Sequence, residues 1–283
     1  MATIKKDVYQ VVTDRICDEL SKGIIPWHKP WVCNAEDGAI SYTSREPYSL
    51  LNQMLLGEPG EYITWKQCKA LGGNVNRGAK ARMIVFFTRV ESKTEVDEEG
   101  QPKVYPCLKY YNVFRISDTD LPSKLESAPV NVHNPIETAE SIISGYLSRE
   151  SLTYHNDKPS NQAYYSPMLD SVVVPMMAQY AEVEEYYSTA FHELVHSTSH
   201  KERCDRPEGR ENIRFGSANY SREELVAEMG SAMLCTISGI DHEKAFKNSV
   251  AYIQGWLKAL GNDKHMIVWA ASRAEKAAKY INQ

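Results

Sequence analysis

The stretch His192-Glu193-Leu194-Val195-His196 constrains this chain more than any other, because its chemistry works only on an α-helix. Residues four apart stack on one helix face, so both imidazoles can reach one ion. Glu193, one step round, faces the adjacent open coordination position. No helix breaker stands in the preceding "EVEEYYSTAF", and Phe191, Leu194 and Val195 supply an apolar side for burial. Chance alone would put an H-E-x-x-H in only roughly one or two of a hundred such chains.

A catalytic ion ordinarily takes three protein ligands and leaves one position for water. The extended form H-E-x-x-H-x-x-G-x-x-H is excluded, since Ser199 and Glu202 stand at its last two fixed positions. His200 lies roughly 12 Å of helical rise from His192, too far to share the ion, and is expected to close the helix end, where positive charge is favoured. The following segment "YSREELVAEMGSAML" supplies a second helix, with Ser221 as its N-cap and Glu224 completing a capping box. Glu224 and Glu228 share one face of it. Glu224 is expected as third ligand and Glu228 as the carboxylate that orients a ligand histidine, with the two roles interchangeable.

Zinc, or manganese or another divalent ion, held by His192, His196 and Glu224 would acidify a water, and Glu193 would take its proton during attack on a polarised carbonyl. Amide hydrolysis is the matching reaction. Tyr186, Tyr187 and Tyr220 could stabilise an oxyanion, but helix packing accounts for them equally well.

At 283 residues the chain has room for two modest cores. A net charge of -5 excludes a uniformly basic nucleic-acid binder, so any basic surface must be local. No apolar run reaches membrane-spanning length and the start lacks a secretory pattern, which points to a cytoplasmic protein without membrane contact. The six cysteines include no C-x-x-C pair and read as reduced thiols.

Helical periodicity predicts an opening helix over residues 5–22 and short helices over 49–56 and 65–71. "ARMIVFFTRV" and "KYYNVFRI" then form a β-hairpin around the acidic turn "EVDEEGQP". The turn-rich segment 117–135 is the best linker, placing a boundary between residues 1–125 and 126–283. Beyond it come a helix over 135–149, short strands at "LTYH", "AYYS" and "SVVVP", and helices over 184–200, 221–237, 242–260 and 264–281. The class is α+β: a small N-terminal α+β domain with a hairpin, then an α+β domain built round the H-E-x-x-H helix.

In the N-terminal part, "GIIPWHKPW" sets Trp27 and Trp31 around Lys29 between two prolines, the make-up of a stacking surface for unpaired bases. Lys66, Lys69, Arg77, Lys80 and Arg82, with Arg89 beyond them, form the clear basic concentration of an acidic chain, suited to tracking a phosphate backbone.

Both halves together resemble the ArdC-type antirestriction proteins of mobile elements. "DVYQVVTDRICDELSKGIIPWHKPW", "YITWKQCKALGGNVNRGAKARMIVFF" and "KYYNVFRISDTD" are similar to that family's single-stranded-DNA-binding domain. "AYYSPMLDSVVVP", "YYSTAFHELVHSTSH" and "YSREELVAEMGSAML" are similar to its zincin-like metallopeptidase domain. The resemblance implies binding of single-stranded DNA, protection of incoming DNA from host restriction, and a metal-dependent peptidase centre. It carries metal to His192 and His196, the general base to Glu193 and a third ligand to "EELVAE". A protein substrate would be a restriction or DNA-processing enzyme. The competing expectation is a non-enzymatic DNA-binding protein whose metal is structural or vestigial.

Overall fold

The computed structural model describes residues 7–28, 38–96, 101–125, 135–209, 218–241 and 250–283. Helix α1 (Val8–Ser21) buries Val12, Ile16 and Leu20 on one side, as their spacing requires. The Asp7 carboxylate accepts from the Tyr9 N–H at 3.1 Å and so satisfies one of the free donors of its first turn.

Strands β1 (Ala39–Ser41), β2 (Gly60–Thr64), β3 (Arg82–Val96) and β4 (Pro102–Arg115) form one sheet in the order β1-β2-β4-β3, so β3 is an edge strand. The β3–β4 hairpin is longer than the two segments predicted, because Tyr105 pairs with Val90 and Val104 with Glu91, extending the ladder toward the turn. Helix α2 (Leu50–Leu56) is buried throughout and ends at Gly57, whose φ of 70° closes the helix. It is locked to β3 by Asn52: the side-chain amide donates to Val85 O at 2.9 Å and its oxygen accepts from Val85 N at 2.8 Å. Helix α3 (Trp65–Ala70) opens with a capping box between Thr64 and Gln67. The expected linker is anchored at its start. Glu61, buried and paired with Arg45, accepts from Ser123 Oγ at 2.8 Å and from the Lys124 N–H at 3.0 Å. Residues 126–134 lie outside the described residues.

Helix α4 (Pro135–Arg149) leads to β5 (Thr153–His155), β6 (Tyr164–Ser166) and β7 (Ser171–Val173), a small sheet in the order β5-β7-β6. Among the described residues four α-helices follow: α5 (Val183–Ser197), α6 (Ala218–Ser238), α7 (Val250–Asn262) and α8 (Met266–Ile281). The class is therefore α+β, with α5, α6 and α8 packed together. One apolar cluster runs from Val12, Ile16 and Leu55 through Phe191, Leu194 and Val195 to Val226 and Ala270.

Helices α5 and α6 approach closely at Gly230. A methyl group there would lie 2.8 Å from Val195 Cγ2, closer than packed carbons tolerate. Gly230→Ala is therefore expected to push the helices apart and cost about 1–3 kcal/mol in a denaturant melt.

Candidate metal centre

Val183 to Ser197 is helical, so His192 and His196 lie one turn apart on α5 as their spacing demands. Their Nε2 atoms face each other at 3.1 Å. Helix α6 crosses beside them and brings Glu224 in: Oε2 is 3.6 Å from His192 Nε2, and Oε1 is 3.5 Å from His196 Nε2. Three ligand atoms at about 2.0–2.1 Å from one tetrahedral ion are about 3.4 Å apart. The two imidazole nitrogens, and each of them with one of the two Glu224 oxygens, stand near that separation, and two histidines with one carboxylate are a standard zinc set. Glu193, 7% exposed, sits beside His192 on the same helix.

The electrostatics favour positive charge here. Burial opposes protonation of His196, yet the carboxylates of Glu223 and Glu224 raise it to about 10. His192 is also raised, Glu224 again outweighing burial, with Glu193 and Glu228 adding their charges. Glu224 is held well below the usual carboxylate range despite burial, because both imidazoles lie beside it and favour its charged form.

Helix α6 begins at Ala218, one turn before the expected Ser221, since nothing in Ala-Asn-Tyr breaks a helix. Glu224 is thereby in the helix body rather than in its cap. One functional neighbour escaped the sequence reading. Glu223, 4% exposed, turns Oε1 toward His196 Nδ1 at 3.4 Å, taking the orienting position on that ring. Its carboxylate is gripped by Arg206, 3% exposed, with Nη2 on Oε1 at 2.7 Å and Nε on Oε2 at 3.0 Å. Arg206 also donates to Thr198 Oγ1 and Val195 O at 2.7 and 2.8 Å, fastening the end of α5. Glu228, one turn beyond Glu224, bears on His192 through its charge.

His200 stays outside the cluster; its Nδ1 accepts from the Glu202 N–H at 3.4 Å. Tyr186 and Tyr187 are buried, Tyr186 accepting from Asn156 and Tyr187 donating to Glu140. The phenol of half-buried Tyr180 is pushed up by burial and, more weakly, by charges that include Glu193.

The N-terminal residues divide. Trp27 must be corrected: it is 0% exposed and packs edge-on against Trp256 at 6.4 Å, so its ring has no face to offer a base. Lys29 and Trp31 fall outside the described residues. Lys66, Arg77 and Lys80 are exposed on α3 and the turn that follows. Lys69, also exposed, bonds to Asn74 and lies 5.8 Å over the Trp65 ring. Arg82 is half-buried and turned inward, donating to Leu56 O at 2.8 Å and pairing with Glu58 at 2.9 Å, so its charge is already offset. Trp65, 53% exposed among these cations, is the aromatic that the sequence reading overlooked, and "TWKQCK" is where it could have been found.

A family model for a zincin-like metallopeptidase matches residues 146–273, and one for the N-terminal domain of anti-restriction factor ArdC matches residues 6–114. Two crystal structures of antirestriction protein ArdC from plasmid R388, metal-free and Mn(II)-bound, align with TM-scores of 0.71 and 0.73 at 32% and 31% identity. Each alignment covers 98% of this chain and 97% of the other. Two DNA primase TraC proteins of Escherichia coli are 29% and 32% identical over 98% and 99% of this chain, which spans only 20% and 27% of their length. Protein y4eC of Sinorhizobium fredii is 28% identical, with 98% of this chain and 92% of that one covered.

Proposed function

The chain belongs to the ArdC antirestriction family, and from that premise we propose that it protects incoming DNA from restriction by binding it as a single strand through residues 1–125 and by a metallopeptidase centre within 126–283. The observation that carries the peptidase reading is the spacing of His192, His196 and Glu224 at 3.1, 3.5 and 3.6 Å. These three residues would hold a divalent ion, with zinc suggested by the donor set and manganese by the Mn(II)-bound relative. Such an ion supplies Lewis acidity, polarising a carbonyl and acidifying water.

The rest of the work falls to this chain's own groups. Glu193 takes the proton from the attacking water and delivers it to the leaving amine. Glu223 holds the Nδ1–H of His196 so that Nε2 points at the ligand position. Glu228 adds negative charge on the His192 side. The substrate is proposed to be a protein, a restriction or DNA-processing enzyme. Exposed Lys66, Arg77 and Lys80, with Lys69 beside Trp65, support contact with phosphates, and Lys29 and Trp31 belong to the same proposal. No helix among the described residues is long and apolar enough to cross a membrane; the setting is proposed to be cytoplasmic.

Elemental analysis tests the centre. Purified protein supplied with zinc is expected to hold about one ion per chain, and His196→Ala and Glu224→Ala to lose it. Full metal content in both variants would overturn the ligand assignment.

A further inference from the structure

One wall of the N-terminal sheet is apolar where nothing in the fold requires it to be. Phe86 on β3 and Tyr111 on β4 are each 46% exposed, and their rings pair at 6.1 Å with a tilt of 65°. Large exposed rings side by side ordinarily mark a recognition surface. They line a cleft of about 610 Å³, closed on its other sides by Tyr48, Thr64, Gln67 and Thr88. That volume falls in the range of sites for small planar ligands.

Charge identifies the occupant. Lys109 stands directly opposite Phe86 in the β3–β4 ladder and is exposed, with no ion pair among the described residues. Thr64 and Gln67 belong to the cap and body of α3, the helix that also carries exposed Trp65, Lys66 and Lys69. Among the described residues Glu46 is the single acid lining the cleft. Aromatic faces inside and cations outside are what a strand of unpaired nucleotides needs, bases on the rings and phosphates on the lysines.

We infer that this cleft is a base-stacking subsite for single-stranded nucleic acid, with Phe86 and Tyr111 as the stacking rings and Lys66 and Lys109 as phosphate contacts. The inference rests on the DNA-binding reading above and moves its stacking surface from Trp27 to the open face of the hairpin. The edge position of β3 would also admit an added peptide strand, but backbone pairing at an edge makes no use of rings or lysines on the sheet face.

Fluorescence anisotropy of a labelled oligothymidylate with the full chain is the test. Phe86→Ala and Tyr111→Ala are each expected to weaken binding about tenfold or more with the salt slope unchanged, while Tyr111→Phe binds as the parent does. Lys66→Ala and Lys109→Ala are expected to weaken binding and to reduce the slope by about 0.7 each. Both rings are surface groups, and circular dichroism would verify that the variants are folded. Parental affinity in both alanine variants would overturn the cleft and leave the DNA reading standing. No binding by the parent chain would overturn the DNA reading itself. Loss of binding to an extended peptide with oligonucleotide affinity intact would make the face a protein-docking surface and overturn the inference.

Discussion

Glu193→Gln is expected to leave metal content unchanged and to lower peptide hydrolysis by about 10²- to 10⁴-fold, the usual contribution of a general base. The substitution keeps the volume of a side chain that is 7% exposed and packed in α5, so the helix and the donor separations survive. What disappears is the carboxylate able to take a proton. Metal analysis and hydrolysis of an unfolded protein substrate, run on one preparation, separate the two effects. The same variant in a DNA-transfer assay decides between the two accounts of protection. If hydrolysis is the route, protection falls with it. Full protection by a metal-loaded but inactive protein would leave coating of the strand as the whole mechanism.

The centre was legible in the sequence to the extent that its geometry is local. Helical spacing alone fixes His192 and His196 on one face, and Glu193 beside them. Glu224 required a second helix, and a helix as regular as α6 could be found from its periodicity, although Ser221 misled about its start. Glu223 could not be picked out in this way. Neighbours on a helix point about 100° apart, so which of two adjacent glutamates meets the ligand and which meets the back of His196 depends on how α5 and α6 cross. That crossing is fixed by contacts such as Gly230 on Val195.

Trp27 failed for the opposite reason. Its local setting between prolines and cations suits an exposed loop, but Trp256, distant in sequence, buries it. Phe86 and Tyr111 were placed on the two strands of the hairpin with no exposed face assigned to either. Burial here does not follow alternation: Ile84 and Val85 are buried on opposite faces of the strand, while Phe86, on the face of Ile84, and Tyr111, paired with Ile84, stay open, which only the arrangement of the sheet reveals.

Arg206 and Glu223 provide the second large effect. Arg206→Met would strand a carboxylate at a position 4% exposed, with His196 beside it. Removing one partner from a buried ion pair costs about 3–5 kcal/mol, and here it also cuts the bonds from Arg206 to Thr198 and Val195 that hold the end of α5. Glu223→Gln acts differently. It keeps an oxygen to accept from His196 Nδ1 but removes the negative charge that makes the imidazole a strong donor, so metal affinity is expected to fall about 10- to 100-fold. Urea unfolding and a competitive chelator titration measure the two quantities independently. A purely structural brace predicts a stability loss in both variants and unchanged metal affinity in folded Glu223→Gln. A brace that tunes the ligand predicts that the affinity falls there, and that the Arg206→Met/Glu223→Gln double variant recovers part of the stability without recovering the affinity. That separation follows from the arrangement itself, because one carboxylate serves both groups: Oε1 meets Arg206 Nη2 and the Nδ1 of the ligand histidine, and Oε2 meets Arg206 Nε.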